Sequence, residues 1–240
     1  MTIKRRPSSR NLIRTLSKLG LCSRTQALAH VQAGRVTVNG RAVKDPGYVV
    51  RPGDKIHLAG QAARPQAKRY FLFHKPAGCV TTRSDEKGRK TIYDWLTGIE
   101  DWVFPVGRLD LDSEGLLILT NDTAFGHRLT EPSFEVPRTY EVWVRGLLTA
   151  DDQRQISRGI DMGRGETARP AHLKILKPEA GISHAEITLT EGKNREVRRL
   201  FGTLGKPVIR LLRTRFGAFT LGALKPGSWE EIKLHKTMRI

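Results

Sequence analysis

Two cysteines in 240 residues, Cys22 and Cys79, are too few for a disulfide framework or a thiolate metal cluster. No His/Cys spacing in the chain matches a zinc site, so no metal is expected. No apolar run approaches the roughly 18 residues that cross a bilayer. The opening stretch MTIKRRPSSR carries charge with no apolar segment behind it, which does not fit a secretory signal. GxGxxG and P-loop patterns are missing as well, so no nucleotide cofactor is expected. The chain reads as reduced, cytoplasmic and free of the membrane. Acidic side chains are also scarce, at 24 Asp and Glu against 42 Lys and Arg.

That imbalance leaves a net charge of +18 and a pI near 10.5. Such an excess attracts polyanions, and RNA or DNA is the leading class. An anionic membrane surface is the rival, but it calls for a concentrated basic amphipathic helix, whereas here the charge is spread over the whole length. Hydrophobic residues make up 38%, enough for a core, and the length suits one large domain with a small companion.

Beyond a basic tail at 1–10, residues 11–58 form a compact module. NLIRTLSKLG has helical apolar spacing and stops at Gly20, and Ser23 is placed to cap a second helix ending at Gly34. RVTVNGRAV alternates around Asn39-Gly40, a tight-hairpin signal, and VVRPGDKIHLAG adds a turn and a strand. Residues 59–69, AGQAARPQAKR, lack large apolar side chains and read as a linker. From Tyr70 to Ile240, strand-like runs recur: YFLFHK, LLILT, TYEVWVRG, HAEITLTEG, PVIRLLRTRFGAF and WEEIKL. Helical stretches fall near 150–159 and 194–204. Strands that are not strictly interleaved with helices predict an α+β domain built on a mixed, largely antiparallel sheet.

Four stretches could carry chemistry. VGRLDLDSEGLLILTND gathers Asp110, Asp112 and Glu114 on a short loop that runs into a buried strand, with Arg108 two residues before Asp110. Asp112 and Ser113 suit turn forming and capping; for Asp110 alone, structural and functional roles are equally open. EGKNREVRRLFGTLG places Lys193, Arg195, Arg198 and Arg199 at a helix start, with Asn194 as the expected cap and Gly205 as the stop. Exposed cations there oppose the helix dipole at about 0.3–1 kcal/mol each. Glu191 and Glu196 offset part of this, and a bound anion would make the arrangement favourable. Tyr140 lies in the strand of RTYEV, where packing is the ordinary role of a tyrosine, and Lys75 precedes the Pro-x-Gly turn of HKPAGCVTT.

Taken together, HKPAGCVTT, VGRLDLDSEGLLILTND, RTYEV and LTEGKNREVRRLFGTLGKPVIRLLRTRFG resemble, in order and spacing, the ribosomal-RNA pseudouridine synthases of the RsuA/RluB branch. The 11–58 module resembles the RNA-binding domain named after small-subunit ribosomal protein S-four. The resemblance implies isomerisation of a uridine to pseudouridine in ribosomal RNA or a pre-ribosomal particle, by a monomer with neither cofactor nor metal. Its EGKNREVRRL stretch points to large-subunit RNA.

By the same resemblance Asp110 is the nucleophile, Tyr140 stacks on the uracil and assists proton removal, and Arg198 pairs with Asp110. Lys75 is structural or faces phosphate, and Arg108 fills the gap left by the displaced base. Lys18, Arg24, Arg35, Arg41, Lys193, Arg195 and Arg199 are the remaining cations expected on RNA. Ser113 stands where threonine is usual and Arg138 where lysine is common. The alternatives are the same reaction on small-subunit RNA, or a non-catalytic RNA-binding or ribosome-assembly protein. A DNA-binding reading lacks a recognition helix.

Overall fold

A computed structural model describes residues 10–163, 165–168, 172–179 and 181–234; most of the expected basic tail lies outside the described residues. The chain divides into two compact units. The first runs through Arg69 and takes in 99–104 and 121–123. The second holds the rest.

In the first unit, β1 (Arg10–Asn11) leads into α1 (Leu12–Lys18), whose cap Asn11 accepts the Arg14 N–H at 2.9 Å. Ser23 and Gln26 form a reciprocal capping box at the start of α2 (Arg24–Gln32). The hairpin of β2 (Val36–Val38) and β3 (Arg41–Ala42) turns on Asn39 and Gly40, both at positive φ, as a two-residue type I′ turn requires. β4 (Val49–Val50) pairs with β1, and β5 (Ile56–Leu58) returns beside β2. Leu12, Leu16, Ala27, Val31, Val36 and Ile56 make the core.

The segment expected as a linker is more structured than its composition implies. Gln61–Ala62 form β6, paired with β5. Further on, the Gln66 N–H donates to the Leu19 carbonyl at 2.9 Å. Asn121 then holds the segment's end, accepting from the Arg69 N–H at 3.0 Å and donating to the Ala67 carbonyl at 2.8 Å. Backbone hydrogen bonds and one side-chain amide do this work, so no apolar pattern announced it.

The second unit is built on one sheet. Its strands in chain order are β7 (Tyr70–Lys75), β8 (Phe104–Val106), β9 (Glu114–Thr120), β10 (Arg138–Arg145), β11 (His172–Glu179), β12 (Ile182–Leu189), β13 (Val208–Phe216), β14 (Phe219–Thr220) and β15 (Trp229–Ile232). Across the sheet the order is β11-β12-β10-β13-β9-β7-β15, with β14 beside β13 and β8 beside β9. The registered pairs are antiparallel except β9 with β13, so the mixed, largely antiparallel sheet is as expected. Three helices accompany it: α3 (Thr123–Thr130), α4 (Ala150–Arg158) and α5 (Glu196–Thr203). α4 and α5 were expected, whereas α3 was not. Leu116 to Leu119 are all fully buried, the mark of a strand covered on both faces. One core gathers Val142, Ile156, Ile187, Leu200 and Phe201; the other gathers Leu72, Ile118, Phe125 and Phe216.

The parallel crossing of β9 and β13 is unusually close. Gly115 has φ +107°, and a Cβ there would stand 2.3 Å from the Arg213 carbonyl oxygen. Only glycine satisfies both conditions. Gly78 also has positive φ, at +84°, but nothing lies within 4 Å of its would-be Cβ. Gly115→Ala should therefore cost at least about 2 kcal/mol of stability in urea unfolding, against about 1 kcal/mol for Gly78→Ala. Equal losses would show that the two strands tolerate a side chain between them.

Candidate active site

The site begins with a lysine for which the sequence left a structural and a phosphate-facing role open. Lys75, the last residue of β7, is 0% exposed. Its Nζ donates to the carbonyls of Pro76 at 3.1 Å, Asp110 at 3.0 Å and Ser113 at 2.8 Å. A fully buried ammonium with three protein acceptors has no donor left for phosphate, so Lys75 is a structural residue. Burial pushes its pKa below the usual lysine range, and the negative potential of Cys79, Asp110, Asp112 and Glu114 pushes back.

Other bonds hold the same loop. The Gly78 N–H donates to the Leu111 carbonyl at 2.8 Å, and the Thr81 hydroxyl donates to the Leu109 carbonyl at 2.7 Å. The Ser113 N–H closes a turn onto the Asp110 carbonyl at 3.1 Å. Asp110 is thus presented from a fixed main chain.

The three carboxylates of the loop have different partners. Asp112 accepts both terminal nitrogens of Arg195, at 3.3 and 3.1 Å, and lies 3.2 Å from the Arg198 Nη2. Burial opposes ionisation of Asp112, but the Arg195 hydrogen bond and the charges of Arg198 and Arg195 outweigh it and hold the carboxyl below its ordinary range. Glu114 accepts from the Arg210 Nε at 2.6 Å. Asp110 meets Arg195, at 3.6 Å.

Arg198, expected to pair with Asp110, contacts Asp112 directly and feels the Asp110 charge only through space. Arg198 donates to the Asp112 and Val208 carbonyls at 2.9 and 3.2 Å, which ties the loop to the start of β13. Arg195 is the cation that reaches Asp110. It caps α5 with φ +47°, a left-handed conformation that few side chains adopt and that concentrates strain at this position. The expected cap, Asn194, lies one residue earlier, while Gly205 follows the helix at φ +69° as expected.

Asp110 opens on a cavity of about 420 Å³ that Arg108, Tyr140, Arg195, Glu196 and Arg213 also line. Neither Asp112 nor Glu114 lines it. Tyr140 comes from β10 and packs against the first core. Arg138 lines the cavity too, bonded to the Leu129 and Val136 carbonyls, with its guanidinium 4.8 Å from the centre of the Phe216 ring.

Glu196 is not the surface charge the sequence implied: it is buried. Its Oε2 accepts the Lys193 N–H at 3.0 Å. Burial, followed by a hydrogen bond shared with the Glu191 carboxyl, pushes its pKa up to about 7. Glu196 and Arg213 were both missed as site residues. The signal for Arg213 was there, since it lies two residues from buried Leu211 on one face of β13.

The remaining cations fall into two groups. Lys18, Arg24, Arg35, Arg41 and Arg108 are exposed. Lys193 and Arg199 already have protein partners: Lys193 bonds the Thr167 carbonyl and Glu191, and Arg199 bonds Glu166 at 2.6 Å. Among the described residues, no cluster of His, Cys, Asp or Glu could hold a metal ion, and no helix is long and apolar enough to cross a membrane.

Comparison with known proteins agrees with this geometry. Residues 69–202 match the family model described as RNA pseudouridylate synthase, and residues 10–56 match the S4 domain. A Bacillus subtilis protein named ribosomal large subunit pseudouridine synthase B is 36% identical over 95% of this chain and 94% of its own length. Its Escherichia coli namesake is 38% identical, over 95% of this chain and 81% of its own. A crystal structure of a pseudouridylate synthase superposes with a TM-score of 0.68 at 28% identity, covering 94% of this chain and 96% of the other. The extent of these matches, which take in the loop of Asp110 and the strand of Tyr140, places the chain in the RNA pseudouridylate synthase family, with an S4 domain ahead of the catalytic unit.

Proposed function

We propose that this chain converts a uridine of large-subunit ribosomal RNA, free or in a pre-ribosomal particle in the cytoplasm, to pseudouridine, with Asp110 as nucleophile. One observation carries the assignment. Of the three loop carboxylates, Asp110 alone lines the cavity, while Asp112 and Glu114 are committed to arginines. The large-subunit target is supported by the names of the Bacillus subtilis and Escherichia coli relatives.

The reaction moves C1′ from N1 to C5 of the uracil, and overall no group is gained or lost. A carboxylate that adds and departs divides this into easier steps. Arg195 directs the Asp110 carboxyl, Tyr140 stacks against the ring, and the Asp112–Arg198 contact holds the loop. The uridine reaches the cavity by flipping out of its stack, which costs a few kcal/mol, and Arg108 is placed to occupy the space it leaves. The exposed cations of the first unit supply phosphate contacts.

Mapping pseudouridine in ribosomal RNA from a strain lacking this protein should reveal one or more missing large-subunit sites, restored by the wild-type chain. Asp110→Asn should not restore them, and tritium release from 5-labelled uridine should fall by at least about a thousandfold, the scale of losing a covalent nucleophile. Asp112→Asn should be far milder. Equal losses would mean that the wrong carboxylate has been chosen.

The cations of the first unit can be tested separately. Replacing Lys18, Arg24, Arg35 and Arg41 together with alanine should raise the RNA concentration for half-maximal rate and spare the saturated single-turnover rate. The slope of log affinity against log salt should shrink by roughly 0.7–0.9 for each phosphate no longer neutralised. An unchanged slope would remove these four residues from the RNA interface.

A further inference from the structure

Arg213 has a donor without a use. The residue is 2% exposed. Its Nε donates to the Leu116 carbonyl at 2.8 Å, and its guanidinium lies 5.0 Å from the centre of the Phe216 ring. Its Nη2 is buried and has no hydrogen-bond partner. Native structures rarely leave a buried guanidinium nitrogen unmatched, because the desolvation penalty is then uncompensated. Arg213 also lines the cavity that Asp110 and Tyr140 line. Another buried atom without a partner, the Ser113 Oγ, belongs to a residue of the same wall. Two orphaned polar atoms around one cavity mark a surface shaped for a polar guest.

The position of Arg213 is tightly coupled to the nucleophile. It pairs with Gly115 where β13 crosses β9, and β9 begins directly after the Asp110 loop. Its Nε bond to Leu116 fixes the guanidinium to the same strand. The main-chain approach that excludes a Cβ at Gly115 thus sets the distance from this cation to the reacting carboxylate.

We infer that Arg213 donates its free Nη2–H to a carbonyl oxygen of the target uracil and stabilises the negative charge that this oxygen acquires during the reaction. When C1′ separates from N1, the bonding pair stays with the ring, and its charge is shared among N1, O2 and O4. Addition of Asp110 to the ring would likewise place charge on a carbonyl oxygen. No proton or electron is exchanged with Arg213 in either case; it supplies a fixed donor where charge develops. A phosphate oxygen is the rival acceptor, but phosphates follow the outside of the strand, whereas Arg213 is buried and lines the cavity. The inference rests on the reading that uracil enters this cavity.

The test is a cycle of protein variants against substrate analogues. Wild type, Arg213→Met and Arg213→Lys are compared on a synthetic large-subunit RNA hairpin carrying uridine, 2-thiouridine or 4-thiouridine at the mapped site. Sulfur is a weaker acceptor than oxygen and keeps the ring shape. Single-turnover tritium release from C5 gives the rates, and circular dichroism melting checks the fold. Arg213→Lys keeps the charge but lacks the forked Nη donors, so it carries the comparison if the methionine variant melts too early.

The expected result is that the rate ratio of uridine to one thio analogue changes by at least about fivefold between wild type and variant, while the other ratio stays within about twofold. The loss on uridine should fall on the saturated rate more than on half-saturation, as suits a contact strengthened in the transition state. If both variants slow all three substrates by one common factor, Arg213 is structural or phosphate-facing, and the inference falls. Activity surviving in Asp110→Asn would instead overturn the reading of the cavity itself, so the two failures are distinguishable.

Discussion

Lys75 is withdrawn from water and bonded to the carbonyls of Pro76, Asp110 and Ser113, so the Asp110 loop cannot shift without stripping a buried charge of its acceptors. Hydrogen bonds to a charged group are worth about 1.5–3 kcal/mol each, which makes such a shift expensive. The ammonium is neutralised by carbonyl dipoles and by the through-space potential of Asp110, Asp112 and Glu114. The lysine fixes where the Asp110 carboxyl stands, and its place at the end of β7 ties the loop to the sheet.

That fixed loop explains why so basic a chain gathers three carboxylates in five residues. Asp112 is the anchor for Arg195 and Arg198, and Glu114 anchors Arg210 on the neighbouring strand. Each uses a loop carboxylate to hold an element that walls the site. Asp110 keeps one long contact, to Arg195, and faces the cavity. The strain at Arg195 fits this division, since the left-handed turn aims one guanidinium at two carboxylates. The protein partners of Lys193 and Arg199 close the same wall from behind. Cations that look like an anion site in sequence are, in the fold, largely matched within the protein.

Much of this is legible in the sequence. Capping residues, the Asn39-Gly40 turn and the long apolar strands announce their elements because local chemistry decides them. α3 is hidden because it is only two turns long and Gly126 interrupts it. β11 is hidden because few of its side chains are apolar. The site can be read by residue type but not by partner. Asp110 and Tyr140 stand out in their motifs, and they do share the cavity. Which of Arg195 and Arg198 meets which carboxylate is not readable, because three residues along a helix leave the two side chains only about 60° apart on one face, and only tertiary packing decides between them. The two roles left open for Lys75 are separated for a related reason: a lysine beside a Pro-x-Gly turn can be exposed or buried until the strand it ends is known to be central. Glu196 needs the neighbouring Glu191 carboxyl in space, and a sequence shows only that both exist.

The central claim is that uracil is isomerised in the cavity walled by Asp110, Tyr140 and Arg213. The most direct measurement is a crystal structure of the protein with the large-subunit hairpin carrying 5-fluorouridine at the mapped site, where fluorine at C5 blocks the final proton loss and holds the ring in place. The ring should lie in the cavity against Tyr140, with the Asp110 carboxylate at bonding or contact distance from the sugar or base and a ring carbonyl on the Arg213 Nη2. A fluorinated ring found outside the cavity, or nearest to Asp112, would contradict the account.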